Sequence, residues 1–141
     1  DTLIMAGDNV LDFSLRAFIE YFETKRSTVV MRAYEESLDD LRKRGVIELG
    51  EDDRVVAMEE KPAEPKTHWR CPPFYLYKDL TPAKIRAALD EGCGFDAPGS
   101  LVGNFCQKEP VFAMEASGKF YDIGNLESYE RVKAEYSGVV K

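Results

Sequence analysis

The chain has 141 residues, 44% hydrophobic and 32% charged, with a formal net charge of −7. Its length suits one domain, and eight Phe and seven Tyr are enough aromatic bulk to fill a core. An acidic balance with no basic patch interleaved with aromatics argues against nucleic-acid binding. Cys71, Cys93 and Cys106 are odd in number and show no C-x-x-C spacing, which argues against a disulfide framework or a zinc site. Reduced thiols in a cytoplasmic protein are the expectation. No apolar run approaches the ~18 residues of a membrane span.

In chain order, Leu3 to Ala6 reads as a short apolar strand that stops at Gly7-Asp8-Asn9. Residues 12–24 (DFSLRAFIEYFET) space Phe13, Ala17, Phe18 or Ile19, and Phe22 at helical intervals, with Asp12 or Ser14 as N-cap. Ser27 to Tyr34 is a buried strand by its β-branched content. Ser37 to Arg44 predicts a short helix, its acids first and its bases last, stopped by Gly45. Val46–Leu49 and Arg54–Glu60, joined by a polar GEDD turn, predict a β-hairpin. Four prolines make residues 62–73 irregular, and FYLY at 74–77 is a strand. Thr81-Pro82 opens a helix to about Glu91, with Thr as cap and Pro at its first position. A weaker helix over 97–107, a strand over 110–115 and a final helix over 126–136 complete the series. The irregular alternation predicts one α/β layer with a mixed sheet and a β-hairpin excursion. Because Asp1 already lies inside strand-like sequence, a fragment of a longer chain is expected.

Four places could carry chemistry. Gly7-Asp8-Asn9 taken alone reads first as an ordinary strand-ending turn, and otherwise as a carboxylate held over a crevice for a metal ion. Glu59-Glu60-Lys61-Pro62 is either a solvated strand edge or a broken strand end, where a carboxylate accepts from hydroxyls and an ammonium meets a phosphate. In Phe120-Tyr121-Asp122-Ile123-Gly124-Asn125 a carboxylate again follows an aromatic strand and precedes a Gly. Two such carboxylates suit Mg²⁺, which takes one or two from protein and leaves its other positions to water and phosphate. Asp96-Ala97-Pro98-Gly99 reads as a turn entering a helix. His68, the one histidine, lies in a Pro-rich polar stretch without neighbours for a hydrolytic triad. Neither a dinucleotide-type nor a P-loop Gly-rich segment is present.

Taken in order, GDN after an apolar strand, RGVIEL, a polar turn, RVVAMEEKP, FYLY and FYDIGNLESY before a last helix form one series. It resembles the sugar-1-phosphate nucleotidyltransferases over nearly the whole chain. The resemblance implies a Rossmann-like fold, with residues 1–141 the C-terminal portion of a single nucleotidyltransferase domain. It implies transfer of a nucleotidyl group from an NTP to a sugar 1-phosphate, with release of pyrophosphate. By motif, Asp8 and Asp122 would be the catalytic carboxylates that hold Mg²⁺. Glu60 and Lys61 would contact the sugar and its phosphate, and Gly45 would offer a backbone contact to the sugar.

Two departures from the family pattern stand out. The N-terminal G-x-G-T-R segment is not in this chain, so the isolated 141 residues are expected to be inactive. Pro73 stands where many members have a Gly that approaches the sugar, and Arg44 replaces the Tyr of Y-G-V. The alternative reading is a non-catalytic regulatory or assembly subunit that keeps the fold. A glycosyltransferase ranks last, because no D-x-D triplet occurs. Self-association is expected through Leu3–Ala6 or the Phe13/Phe18/Phe22 helix, if their apolar faces are left uncovered.

Overall fold

The computed structural model describes residues 1–139. In chain order it contains β1 (Thr2–Met5), β2 (Asn9–Leu11), α1 (Arg16–Lys25), β3 (Thr28–Tyr34), α2 (Leu38–Leu41), β4 (Gly45–Leu49) and β5 (Val55–Glu60). There follow β6 (Trp69–Arg70), β7 (Phe74–Tyr77), α3 (Pro82–Asp90), α4 (Gly99–Phe105), β8 (Val111–Glu115), β9 (Phe120–Asp122) and α5 (Leu126–Glu135). The main sheet runs β1-β7-β3-β6-β4-β5, with β8 also paired to β3, and β2 and β9 form a separate two-stranded ribbon.

β3 is the axis of this arrangement. Its first four residues, Thr28–Met31, are all buried. Along one stretch it pairs antiparallel with β7, and on five residues from Thr28 to Arg32 it pairs parallel with β8. A strand buried on both faces reads as a continuous apolar run, and TVVM does so. Alternation then sorts the side chains. Val29, Met31, Phe74 and Leu76 point to a core completed by Phe13, Phe18 and Phe22. Val30, Tyr75 and Tyr77 point to the opposite core, completed by Ala88 of α3 and by Val102 and Phe105 of α4.

The segment 69–77 shows how two prolines shape the sheet. β6 pairs with β3 through Ala33↔Arg70 and Tyr34↔Trp69, whereas β7 pairs through Val29↔Leu76 and Val30↔Tyr75. The two registers differ by two residues, and Cys71-Pro72-Pro73 lies between them. Neither proline has an N–H to donate, so the ladder is interrupted there. The outer neighbour also changes at that point. β1 lies beside β7, with the Ala6 N–H reaching the Pro73 carbonyl at 3.1 Å, while β4 lies beside β6, with the Cys71 N–H donating to the Gly45 carbonyl at 2.8 Å. β1 and β4 therefore diverge on either side of the prolines and leave a crevice between them.

Most predicted elements are present, with informative differences. Thr81 caps α3 by accepting from the Lys84 N–H, and the hairpin β4–β5 forms around a single 3₁₀ turn at Glu51–Asp53. The first helix starts at Arg16 rather than at residue 12, because Asn9–Leu11 are taken into the ribbon with β9. Asp12 is consequently no N-cap: its carboxylate accepts from the Lys119 N–H at 2.7 Å. The helix read over 37–44 shortens to Leu38–Leu41, and Gly45 does not stop it but starts β4 opposite Glu60. The two-residue strand β6 arises in a segment that composition alone reads as irregular. Phe13, Phe18 and Phe22 are not uncovered but buried, whereas Leu3 and Met5 on the edge strand are exposed.

Phe18 is 1% exposed and ties α1 to the sheet. Phe18→Ala is expected to lower the unfolding free energy by about 3–5 kcal/mol. Chemical denaturation would show this as an earlier midpoint, and an unchanged midpoint would mean that α1 is not seated on the sheet.

Candidate functional site

The site builds up around the end of β5. Gly45 and Glu60 face each other across β4–β5. A Cβ at position 45 would lie 2.5 Å from the Met58 Cε and 3.3 Å from both Glu60 carboxylate oxygens. A Cβ on Gly99 would overlap Glu60 Oε1 outright. The carboxylate thus sits between two glycines: a side chain at 99 would displace it, and one at 45 would crowd it and push against the Met58 methyl. Half-buried there, Glu60 has its pKa raised above the ordinary glutamate range by burial, which outweighs the Gly99 N–H donated to it and the nearby Lys61 charge.

The expected strand break occurs at the next residue. Lys61 adopts φ 50°, a left-handed conformation uncommon for a residue with a side chain, and its N–H donates to the Arg44 carbonyl at 2.9 Å. Lys61 therefore leaves the strand exposed while Glu60 stays inward. Together with Arg44, Arg70, Pro72 and Pro73, Gly45 and Glu60 line a cavity of about 160 Å³. This cavity lies at the split in the sheet. Open α/β sheets commonly place ligands where neighbouring strands diverge.

Asp8 and Asp122 are brought together by the β2–β9 ribbon. Asn9 pairs with Asp122, and the Asp8 carbonyl accepts from the Ile123 N–H at 2.8 Å. Both carboxylates are exposed. Asp8 accepts from the Asn9 side-chain amide at 2.9 Å, and Asp122 forms an ion pair with Arg44 at 3.6 Å. Among the described residues, no group of three or more His, Cys, Asp or Glu is placed to hold a metal ion. Two oxygen-donor carboxylates nevertheless match Mg²⁺, which uses one or two and keeps other positions for water and phosphate.

The sequence reading missed Arg44 and Arg70 as site residues. Pairing of β4 with β6 at Val46↔Arg70 brings Arg70 near the start of β4, and Arg44 and Arg70 line the same cavity. Burial is the main cause lowering the Arg70 pKa, followed by the charge of Arg44. Both arginines also border a larger groove of about 480 Å³, walled by the end of β3, by β9 and by α5. The signal available in sequence was two arginines flanking the two hairpin-side strands, and it stayed hidden because β6 was not expected. His68 is exposed, with its ring nitrogen 2.7 Å from the Glu35 carbonyl and its ring stacked on Tyr34, in keeping with a loop residue. Asp96–Gly99 forms the turn into α4, as read.

The strand order and the helices on both faces make an α/β domain with a crevice at the split in its sheet. The chain belongs to the nucleotidyl transferase family, whose model matches residues 1–138. It is 25% identical over 142 residues to the glucose-1-phosphate adenylyltransferase of Lachnospira eligens, an alignment covering 98% of this chain and 33% of that one. Two solved structures share its fold. One is described as a glucose-1-phosphate thymidylyltransferase from Bacillus anthracis in complex with sucrose, with TM-score 0.73 and 23% identity over 94% of this chain and 52% of that one. The other is UDP-glucose pyrophosphorylase complexed with UDP-glucose, with TM-score 0.77 and 19% identity over 95% and 55%. The chain spans about a third of the length of the curated relatives it matches.

The raised Glu60 pKa has a measurable consequence. A carboxyl whose folded-state pKa is raised favours the native state when protonated, and that contribution is lost as pH climbs from the ordinary glutamate value through the raised one. Glu60→Gln removes the titration while keeping an acceptor for the Gly99 N–H. The variant is expected to melt with wild type at pH values below the ordinary glutamate range and to melt higher at pH 7. Equal melting temperatures at pH 7 would mean that burial does not penalise the Glu60 charge.

Proposed function

We propose that this chain carries the sugar-1-phosphate and metal side of a nucleotidyl transfer, in which an NTP and a sugar 1-phosphate give a nucleotide sugar and pyrophosphate. The observation that carries the reading is Glu60 held inward against Gly45 and Gly99 while Lys61 turns outward at the same strand end. Family membership over residues 1–138 supports it.

In this reading Glu60 accepts hydrogen bonds from sugar hydroxyls, and Gly45 leaves room for the ring to approach the backbone. Lys61 meets the phosphate, a charge-assisted contact. Asp8 and Asp122 would hold Mg²⁺, which when bound offsets the charge of two anionic reactants. A phosphate oxygen of the sugar 1-phosphate attacks the α-phosphorus of the NTP as the bond to pyrophosphate breaks. No protein nucleophile is required for such a displacement, so positioning and charge stabilisation account for the catalysis. The 141 residues contain no Gly-rich phosphate loop, so by themselves they bind sugar 1-phosphate without turning it over. Three free thiols, two of them buried, accord with a reducing, cytoplasmic compartment.

Calorimetric titration of the chain with glucose 1-phosphate, with and without Mg²⁺, tests this. Glu60→Ala is expected to weaken binding about 10-fold or more, the scale of one lost charged hydrogen bond. Asp122→Asn should remove whatever enhancement Mg²⁺ provides. Binding indifferent to both substitutions would overturn the site assignment. Pyrophosphate release by the 141 residues, lost in Asp122→Ala, would overturn the expected inactivity.

A further inference from the structure

The two arginines between the cavities are not accounted for by packing alone. Arg70 is half-buried, and among the described residues its Nε, shielded from solvent, has no hydrogen-bond partner and its side chain forms no ion pair. Its guanidinium lies over the Phe120 ring at 5.3 Å, which supports the side chain from one side, and among the described residues no acceptor meets its fork of donors. The neighbouring Arg44 raises the cost of the Arg70 charge, and the distributed charges of Glu35 and Asp122 do not offset burial. Arg44 itself is held by one loose contact, the 3.6 Å pair with Asp122. Arg70, with its Nε buried and without a partner, and Arg44, which borders the same two cavities, make a site for a planar or tetrahedral oxyanion.

Their position identifies where that oxyanion comes from. Arg44 and Arg70 border both the 160 Å³ cavity that contains Glu60 and Gly45 and the 480 Å³ groove beyond it. A sugar ring held against Glu60 in the small cavity therefore has the pair as one wall, with the groove open behind for a substituent. Lys61, at the outer end of β5, is a separate cation available to the 1-phosphate.

We propose that Arg44 and Arg70 select a sugar 1-phosphate bearing a second anionic group, a carboxylate or a phosphate ester on the ring, over neutral hexose 1-phosphates. This rests on the sugar-1-phosphate reading above.

The test is calorimetric titration of the chain with glucose 1-phosphate, glucuronic acid 1-phosphate, glucose 1,6-bisphosphate and inorganic phosphate at constant ionic strength. At least one acidic sugar phosphate is expected to bind about 10-fold or more tighter than glucose 1-phosphate, in keeping with a bidentate charged contact. Which acidic compound wins distinguishes carboxylate from phosphate ester. Arg70→Met and, independently, Arg44→Gln should bring the ratio of acidic-sugar to glucose 1-phosphate affinity down to about 1. A thermal melt verifies that each variant is folded, and Arg44→Gln, at a more exposed position, serves if Arg70→Met is not. Equal affinity for neutral and acidic sugars overturns the selectivity and leaves the parent reading intact. A loss of glucose 1-phosphate binding as large as that of the acidic sugars would mean that the pair reads the 1-phosphate, and also overturns it. Inorganic phosphate binding as tightly as the acidic sugars reduces the pair to a general anion site. Binding of none of the sugar phosphates defeats the parent reading itself.

Discussion

Two missing backbone donors organise this molecule. Pro72 and Pro73 cannot contribute N–H groups to the strand that runs along β3, so residues 69–77 pair in two registers instead of one. Everything around the crevice follows from that interruption. β1 stays with the downstream register and β4 with the upstream one, and the cavity between the start of β4, the end of β5 and the turn into α4 is lined by the prolines. A continuous strand would have kept β1 and β4 tied to the same ladder along its whole length, leaving no space at the sheet's middle. The rigid φ of proline also fixes the floor, so the cavity does not depend on side chains moving aside.

Charge in the crevice is arranged so that each ionised group meets a different compensation. Glu60 is half-buried but receives a backbone N–H, Asp122 is exposed and paired with Arg44, and Lys61 is turned to solvent by its left-handed backbone. Arg70 is the exception: among the described residues its shielded Nε has no partner, and the charge of Arg44 adds to the cost of its own. Native proteins seldom leave a desolvated cation so placed unless a bound group completes it. The chain's overall acidity sharpens the contrast, because a pair of arginines inside an acidic protein concentrates positive potential where the surrounding surface offers little.

Much of the architecture was legible in the sequence because it depends on local signals. FYLY, TVVM and the capped helix at Thr81-Pro82 carry their own periodicity or capping chemistry, and each formed where it was read. The misreadings share a cause. Asn9–Leu11, Gly45 and Trp69–Arg70 are short stretches whose conformation is set by a partner strand distant in sequence, and no local pattern encodes that partner. The same division holds for the site. The break after Glu60 was visible in the proline that follows, and the recurrence of an acid at strand ends drew attention to Asp8 and Asp122. The meeting of Arg44 and Arg70 at one cavity was invisible, because it depends on the cross-strand pairing of β4 with β6.

The β2–β9 ribbon joins residues near the two ends of the described chain, with Asn9 opposite Asp122. Closing a loop of that length costs entropy that grows only as about (3/2)RT ln n, so the ribbon is affordable once the intervening elements are in place. Before then it has nothing to hold its strands at the right separation, and three residues a side do not sustain a ribbon alone. A ligand that needs both Asp8 and Asp122 therefore encounters its complete site only on fully folded molecules. By mass action such a ligand draws the whole conformational equilibrium toward the native state, linking occupancy of a few surface oxygens to the integrity of the chain from one end to the other.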